Sequence, residues 1–254
     1  MLTVSQLGCA RGGCQILTGI EFQLRSGEVL AVLGTNGAGK STLLATLSGE
    51  LSHPEGDIKL AGRPLAAWPA AQRARRLAVL PQSSSLAFAF SVEEVVLLGR
   101  LPHAVGHDED RRVVAEVMHA TDIDHLRQRS YLALSGGERQ RVHLARVLAQ
   151  IWDAAEPACL LLDEPTASLD LAHQRLILQS AREIARRGNA VLLVLHDLNL
   201  AACYADRLLM LDRGRVAALG TPWEVLQAER IQQVFGVEVE VARHPRLDCP
   251  LIIA

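Results

Sequence analysis

The chain has 254 residues, of which 49% are hydrophobic, so it can bury a substantial core and wholesale disorder is excluded. A net charge of −2 argues against a general nucleic-acid binder, since such proteins carry an excess of positive charge. The sequence predicts neither a signal peptide nor a membrane helix, because no uncharged apolar run reaches roughly 18 residues. Five cysteines without a CxxC pair favour a reduced, cytosolic protein.

The N-terminal part of the chain is predicted to be rich in β-structure. Short apolar or alternating runs are separated there by glycine and proline, which is the pattern of strands joined by turns. The predicted strands cover 2–9, 20–24, 28–34 and 57–62.

Helical patterns dominate from 66 to 149. Ser91 and Glu94 form a predicted capping box, and the helix that they open is expected to end at Gly99. An amphipathic helix is predicted over 108–120.

The remaining chain alternates between continuous apolar runs and helices. The runs at 158–165 and 190–197 are typical of strands buried on both faces of a parallel sheet, joined by a crossover helix at 171–187. Thr221, Pro222 and Glu224 mark another helix start. The alternating tail at 237–245 predicts an edge strand.

The stretch GTNGAGKST matches the phosphate-loop pattern GxxxxGK[ST] in full. A buried strand leads into it and a helix leads out, so its backbone N–H groups can wrap phosphates at a helix N-terminus. We expect Lys40 to reach the β- and γ-phosphates and the Ser41 hydroxyl to ligate Mg²⁺. The predicted nucleotide contacts are Gly34, Thr35, Asn36, Gly37, Ala38, Gly39, Lys40, Ser41 and Thr42.

Two acids, Asp163 and Glu164, lie at the end of the apolar run at 158–165. Because adjacent strand residues point to opposite sides, one carboxylate of the pair Asp163 and Glu164 can hold Mg²⁺ while the other addresses a water. The alternative is a pair of turn acids. His196 lies near the end of the apolar run at 190–197, one crossover connection after Asp163, so it is predicted at the same edge of the sheet. Its side chain either contacts the γ-phosphate or has a structural role. Gln82 follows another apolar run and by itself indicates little.

A second glycine-rich helix start lies at Ser135. With Glu138 it forms a capping box, which explains these two residues but not Gly136 and Gly137 between them. Two glycines leave backbone N–H groups uncovered, as at an anion site. The sequence leaves open a plain capped helix or a phosphate site that serves a nucleotide bound by another subunit.

These motifs, in this order, resemble the ATP-binding subunit of ABC transporters. GTNGAGKST is similar to its Walker A motif, LPQ to its Q-loop and LSGGE to its signature motif; LLLDEP is similar to Walker B, SLD to its D-loop and LHD to its His switch. The resemblance implies an α/β P-loop NTPase fold with a parallel core sheet, an N-terminal antiparallel subdomain and an inserted helical subdomain. One ATPase domain would cover 1–254, with the helical subdomain at about 83–150 and a C-terminal extension at 220–254.

The resemblance also implies a head-to-tail dimer that sandwiches two ATP molecules. Ser135, Gly136 and Gly137 would then bind the γ-phosphate held by the other chain, and the D-loop would place Asp170 at the nucleotide.

By the same resemblance, Asp163 would bind Mg²⁺, Glu164 would polarise the attacking water and His196 would contact the γ-phosphate. Gln82 would sense Mg²⁺ and couple to the membrane subunit. One departure from the family is that no aromatic residue stands where the adenine ring usually stacks. Arg11 is the nearest candidate there.

Within this family the chain resembles importers of the iron-chelate and cobalamin group, and most of all the haem importer ATPases. A siderophore or vitamin B12 importer is the alternative, and a DNA-repair or translation ATPase is a more remote one. Expected partners are a second copy, membrane permease subunits and, indirectly, a periplasmic binding protein, with no nucleic acid. The expected location is the cytoplasmic face of the bacterial inner membrane. The segment LAFAF (86–90) is predicted either to pack in the core or to dock the permease.

Overall fold

A computed structural model describes residues 1–52, 55–82, 86–167 and 169–254. Within these residues the strands are β1 (Leu2–Arg11), β2 (Cys14–Leu24), β3 (Val29–Leu33), β4 (Glu55–Leu60), β5 (Arg63–Pro64), β6 (Leu77–Leu80), β7 (Cys159–Asp163), β8 (Ala190–Val194), β9 (Arg207–Asp212), β10 (Arg215–Gly220), β11 (Glu240–Arg243) and β12 (Pro250–Ile253). The α-helices are α1 (Lys40–Leu47), α2 (Ala70–Ala74), α3 (Val92–Leu97), α4 (His107–Ala120), α5 (Gly136–Ile151), α6 (Leu171–Arg186), α7 (Leu198–Tyr204), α8 (Pro222–Val225) and α9 (Ala228–Phe235).

The core sheet has the strand order β10-β9-β3-β8-β7-β6. All neighbouring pairs are parallel except β10 and β9. Every residue of β3, β7 and β8 is buried, as their continuous apolar runs predict. Strand β6 joins this sheet although it lies within the stretch where helical patterns dominate.

Alternate residues of β3 contribute to two separate cores. Leu30 and Val32 pack with the N-terminal antiparallel sheet, whose order is β2-β1-β4-β5. Val29, Ala31 and Leu33 pack on the other face, with the helices. Because successive side chains of a strand point to opposite faces, the core sheet lies between the N-terminal antiparallel sheet and the helices. The predicted α/β fold class is confirmed.

The helical segment packs through α3, α4 and α5. Valines of α3 and α4 are fully buried against α5, and the capping box of Ser91 and Glu94 forms as predicted. Helix α3 ends at Leu97, and a 3-10 turn continues to Arg100. Gly99 in this turn lies against α5 so closely that a Cβ there would be 2.0 Å from the carbonyl oxygen of Arg146.

Arg100 joins three parts of the helical segment. Its guanidinium is 1% exposed and donates to Asp110 at 2.8 Å, to Asp153 at 2.7 and 2.9 Å, and to the carbonyl of Ala149 at 2.8 Å. A buried arginine is stable only when it is fully paired, and here all of its bonds are to α4 and to the end of α5.

The C-terminal part begins with the predicted capping box of Thr221 and Glu224, which the structure contains with Pro222 in the first turn. The predicted edge strand is β11, but it pairs only with β12, in a separate two-stranded sheet. The core sheet ends instead at β10 and β6. No helix of the described ranges is both long and apolar enough to cross a bilayer.

Candidate functional site

The phosphate loop connects β3 to α1, which begins at Lys40. Gly34, Gly37 and Gly39 all have positive φ, at 151°, 82° and 101°. A Cβ on Gly34 would also be 2.5 Å from the carbonyl oxygen of Leu211. Backbone conformation and close packing therefore both require glycine in this loop.

Lys40 lies inside the loop that precedes it. The residue is 6% exposed, and its ammonium donates to the carbonyl oxygens of Gly34 at 2.8 Å and Thr35 at 3.0 Å. Burial lowers the pKa of Lys40, whereas the carboxylates of Glu164 and Asp163 raise it. The positive charge is thus held between the loop and the two acids.

Asp163 is the last residue of β7 and is 5% exposed. Burial raises the pKa of this carboxyl, although a hydrogen bond from Ser41 opposes the shift. Its Oδ1 atom is buried and has no hydrogen-bond partner among the described residues. An unpartnered carboxylate oxygen beside a hydroxyl is the hard oxygen donor set that Mg²⁺ prefers, so these residues fit the predicted ion.

The backbone at Glu164 differs from the strand geometry that the sequence predicted. This residue lies beyond the end of β7 with φ of 48°, so a left-handed backbone, rather than strand alternation, separates it from Asp163. Its carboxylate accepts from Gln82 Nε2 at 2.8 Å and from His196 Nε2 at 2.5 Å. Two residues that follow neighbouring strands, Gln82 and His196, therefore converge on the carboxylate of Glu164.

The register of the sheet explains this convergence. Asp163 is paired with Val194 in β8, and the backbone N–H of Glu164 donates to the Val194 carbonyl at 3.2 Å. His196 follows two residues later, and Gln82 follows the end of β6, the other neighbour of β7. The prediction that Asp163 and His196 share one sheet edge is confirmed.

A cleft of about 510 Å³ opens beside the phosphate loop. Ser41, Thr42, Gln82 and Asp163 line it, and so does Arg11, the last residue of β1. The lining also includes residues that were not predicted as site residues, in α1, in the turn after it and around the end of β6: Leu44, Ala45, Glu50, Leu51, Val79 and Pro81.

The second glycine-rich helix start forms the predicted capping box. Glu138 N donates to Ser135 Oγ at 3.3 Å, and Ser135 N donates to the Glu138 carboxylate at 2.7 Å. These bonds lower the pKa of Glu138, which also pairs with Arg129 at 3.3 Å. Glutamate at this position is therefore held in place by the helix start itself.

Among the described residues, no backbone conformation or backbone contact requires glycine between these two residues. A Cβ on Gly136 would meet no atom within 4 Å, and one on Gly137 would be 3.3 Å from Cδ2 of Leu169. Neither residue has a positive φ. The described lining of the 510 Å³ cleft includes none of residues 135–137.

Asp170 caps α6. Its carboxylate accepts from His173 N at 2.9 Å and pairs with His173 Nδ1 at 2.8 Å. These bonds lower the pKa of Asp170. Ser168, the first residue of the predicted D-loop, lies outside the described residues.

The segment LAFAF is divided between core and surface. Leu86 and Phe90 pack against the core, whereas Phe88 is 69% exposed. The rings of Phe88 and Phe90 meet edge to face, with centroids 6.0 Å apart. Core packing thus explains two of the three large side chains but not Phe88.

Comparison with known proteins extends these observations. The ABC transporter family model matches residues 17–167. Over 254 residues, the whole of both chains, the protein is 59% identical to the hemin import ATP-binding protein HmuV of Pseudomonas aeruginosa. It is 54% identical to the HmuV protein of Gloeobacter violaceus, over all of this chain and 94% of that one.

Solved structures show the same fold. A protein described as a metal-chelate type ABC transporter, in an inward-facing conformation, superposes with a TM-score of 0.82 at 29% identity, covering 99% of this chain and 96% of the other. The cbiO1 protein of Clostridium perfringens, part of the transporter complex cbiONQ, has a TM-score of 0.77 at 30% identity, with 91% and 92% covered. The motifs, the fold and the full-length relatives agree: the chain belongs to the ABC transporter family, as an ATP-binding subunit that hydrolyses ATP.

Proposed function

We propose that the chain is the ATPase of a bacterial haem importer. The observation that best supports ATP hydrolysis at this site is the position of the Glu164 carboxylate, which Gln82 and His196 hold beside the phosphate loop. The proposed cargo follows from relatives that are named for hemin import and match the entire chain. During transport, haem itself would pass through the permease and not through this subunit.

In the proposed mechanism, residues Gly34 to Thr42 bind the triphosphate of ATP. The loop N–H groups and the helix N-terminus favour its negative charge, and the Lys40 ammonium leaves its own loop carbonyls to reach the β- and γ-phosphates. Ser41, Asp163 and Gln82 would hold Mg²⁺, which neutralises charge on the phosphates when it is bound.

Glu164 is proposed to orient and polarise the water that attacks the γ-phosphate. With one oxygen held by Gln82 and the other by His196, the carboxylate is confined before substrate arrives, so little reorganisation is needed. His196 then contacts the γ-phosphate, since its ring is 48% exposed at the mouth of the site. Most of the rate enhancement would come from positioning and charge.

The signature helix start is proposed to complete the site of a second copy. Support comes from Gly136 and Gly137, because among the described residues a Cβ on Gly136 would meet no atom within 4 Å and one on Gly137 would meet only a Leu169 methyl group. A phosphate of the partner's nucleotide can approach their N–H groups directly because no Cβ is in the way. Asp170, at the start of α6, would lie at the same interface.

The proposed assembly is a head-to-tail dimer bound to two permease subunits at the cytoplasmic face of the inner membrane, with a periplasmic protein delivering haem. Phe88 is proposed to contact the permease, because an exposed phenylalanine that follows Gln82 closely in the chain can carry movement from the membrane subunit to the catalytic carboxylate. The segment 83–150 would then act as the helical subdomain and 220–254 as a C-terminal extension.

Mixing two inactive variants tests the shared site. Lys40→Met removes the phosphate-loop charge, and Ser135→Arg blocks the signature helix start. A mixed dimer has one site with both defects and one intact site, so an equal mixture should recover about a quarter of the normal rate if the sites act independently. Each variant alone should be inactive. A mixture that stays inactive although mixed dimers form would overturn the shared site.

Reconstitution tests the cargo. The chain is placed in vesicles with its permease, and ATP hydrolysis is compared as binding proteins deliver haem, a ferric siderophore or cobalamin. Haem should give the strongest stimulation. Preferential stimulation by a siderophore or cobalamin would overturn the haem assignment and leave the ATPase assignment intact.

A further inference from the structure

A second cavity, of about 880 Å³, lies away from the phosphate loop. It is formed by the end of α5, one face of α6, helix α7 and the loop between β11 and β12. Its volume is in the range of small-molecule sites. None of the catalytic residues proposed above lines it, so its chemistry has to be read from its own side chains. We call it the α6–α7 groove.

Positive charge dominates the groove. Five arginines line it, against two carboxylates, Glu183 and Asp197. Glu183 is engaged by Arg187 at 3.5 Å, and Asp197 accepts from backbone N–H groups of α7 at 2.8 and 2.9 Å. Arg175 and Arg246 have no ion-pair partner among the residues that the structure describes, and both are exposed. The groove therefore presents at least two guanidinium groups that are free to bind anions.

Apolar side chains form a second part of the lining, beside a few uncharged polar ones. Trp152, Leu176, Leu200 and Tyr204 are half-buried, and Leu247 from the β11–β12 loop is 49% exposed. A free phosphate or a nucleotide would leave this apolar surface uncovered. An apolar body that carries anionic groups would cover it and would pair the arginines at the same time.

We infer that the α6–α7 groove binds an amphipathic organic dianion, with its apolar body against Trp152, Leu176 and Leu247 and its carboxylates on Arg175 and Arg246. A bound dianion would join α6 to the loop between β11 and β12. Haem and long-chain dicarboxylic acids both have this chemistry, and the two sources are separated by experiment.

The groove is connected to the catalytic carboxylate through α7. His196, which donates to Glu164, directly precedes Asp197, the cap of α7. The Asn199 side chain binds the backbone N–H and carbonyl of Ile252 at 2.7 and 3.0 Å, which fixes α7 to β12. A ligand that braces α6 against this hairpin, to which Asn199 fixes α7, restricts the movement of His196, so occupancy slows ATP turnover.

Binding is measured on the full chain with two probes, haem by its absorption band and hexadecanedioic acid by calorimetry. The alkyl diacid tests the groove independently of the proposed cargo, whereas haem as a probe rests on the proposed function. Arg175→Glu combined with Arg246→Glu should weaken binding by roughly a hundredfold, about tenfold for each lost charge-assisted contact. The matched control is the pair Arg213→Glu and Arg215→Glu, on exposed arginines outside the groove.

Loss of binding in the groove variant but not in the control confirms the site, and the probe with the higher affinity identifies the source of the dianion. Failure of both probes to bind, or equal affinity of both variants, overturns it. ATP turnover of the unaltered chain should fall as the groove fills, and the groove variant should not respond. Unchanged turnover at saturation overturns the inhibitory role.

Discussion

Replacing Gly99 by alanine tests how closely the helical segment is packed. The new Cβ would be 2.0 Å from the carbonyl oxygen of Arg146 and 3.1 Å from the Cβ of Ala149. A carbon and a carbonyl oxygen ordinarily approach to about 3.3 Å. The obstacle is backbone in the middle of α5, so the turn and the helix have to separate by about an ångström.

The expected loss of stability combines two effects. Overpacking of this size typically destabilises a protein by about 1–3 kcal/mol. The shift also disturbs the neighbouring Arg100, whose bonds to Ala149 and Asp153 lie across the same contact and contribute about 1.5–3 kcal/mol each when charge-assisted. Alanine restricts the unfolded chain more than glycine does, and this offsets about 0.4–1 kcal/mol of the loss. We expect a net loss of about 3 kcal/mol.

Thermal unfolding provides the assay. For a chain of this size about 1 kcal/mol lowers Tm by roughly 2–4 °C, so Gly99→Ala should lower it by roughly 6–12 °C. Gly136→Ala is the matched control: its Cβ meets nothing within 4 Å, so Tm should be unchanged while ATP turnover falls at the shared site. A Gly99→Ala protein that melts like the unaltered chain would refute the close approach.

Four further predictions follow from individual side chains. Arg100→Met should destabilise the chain by about 3 kcal/mol, since it leaves two carboxylates and a carbonyl unpaired, whereas Arg112→Met on the exposed face of α4 should leave Tm unchanged. Glu164→Gln should retain ATP binding and give an ATP-dependent dimer with almost no turnover; normal turnover would show that another group activates the water. Burial raises the pKa of Asp163, so this carboxylate should become protonated, and Mg²⁺ binding in the presence of ATP should weaken, at a higher pH than for an ordinary aspartate. Calorimetry should find no such pH dependence in Asp163→Asn. Phe88→Asp should abolish stimulation by the permease without changing basal ATP hydrolysis, and an unaltered stimulation would remove Phe88 from the proposed contact.

The sequence determined the parts of this protein that depend on a few consecutive residues. The phosphate loop, the capping boxes of Ser91, Ser135 and Thr221, and the strand that ends at Asp163 were all predicted, because glycine spacing, caps and apolar runs act locally. The shared sheet edge of Asp163 and His196 was also predicted, because one crossover between parallel strands leaves little choice of position.

Tertiary structure alone decided which groups are in contact. The bonds of Glu164 to Gln82 and His196 join residues that are far apart in the chain, and so does the approach of Gly99 to α5. The left-handed backbone at Glu164 was not predicted either. The α6–α7 groove likewise exists only because α6, α7 and the β11–β12 loop pack side by side, which brings Arg175 and Arg246 to one cavity. Such contacts depend on how whole elements pack together, and no short run of residues encodes that packing.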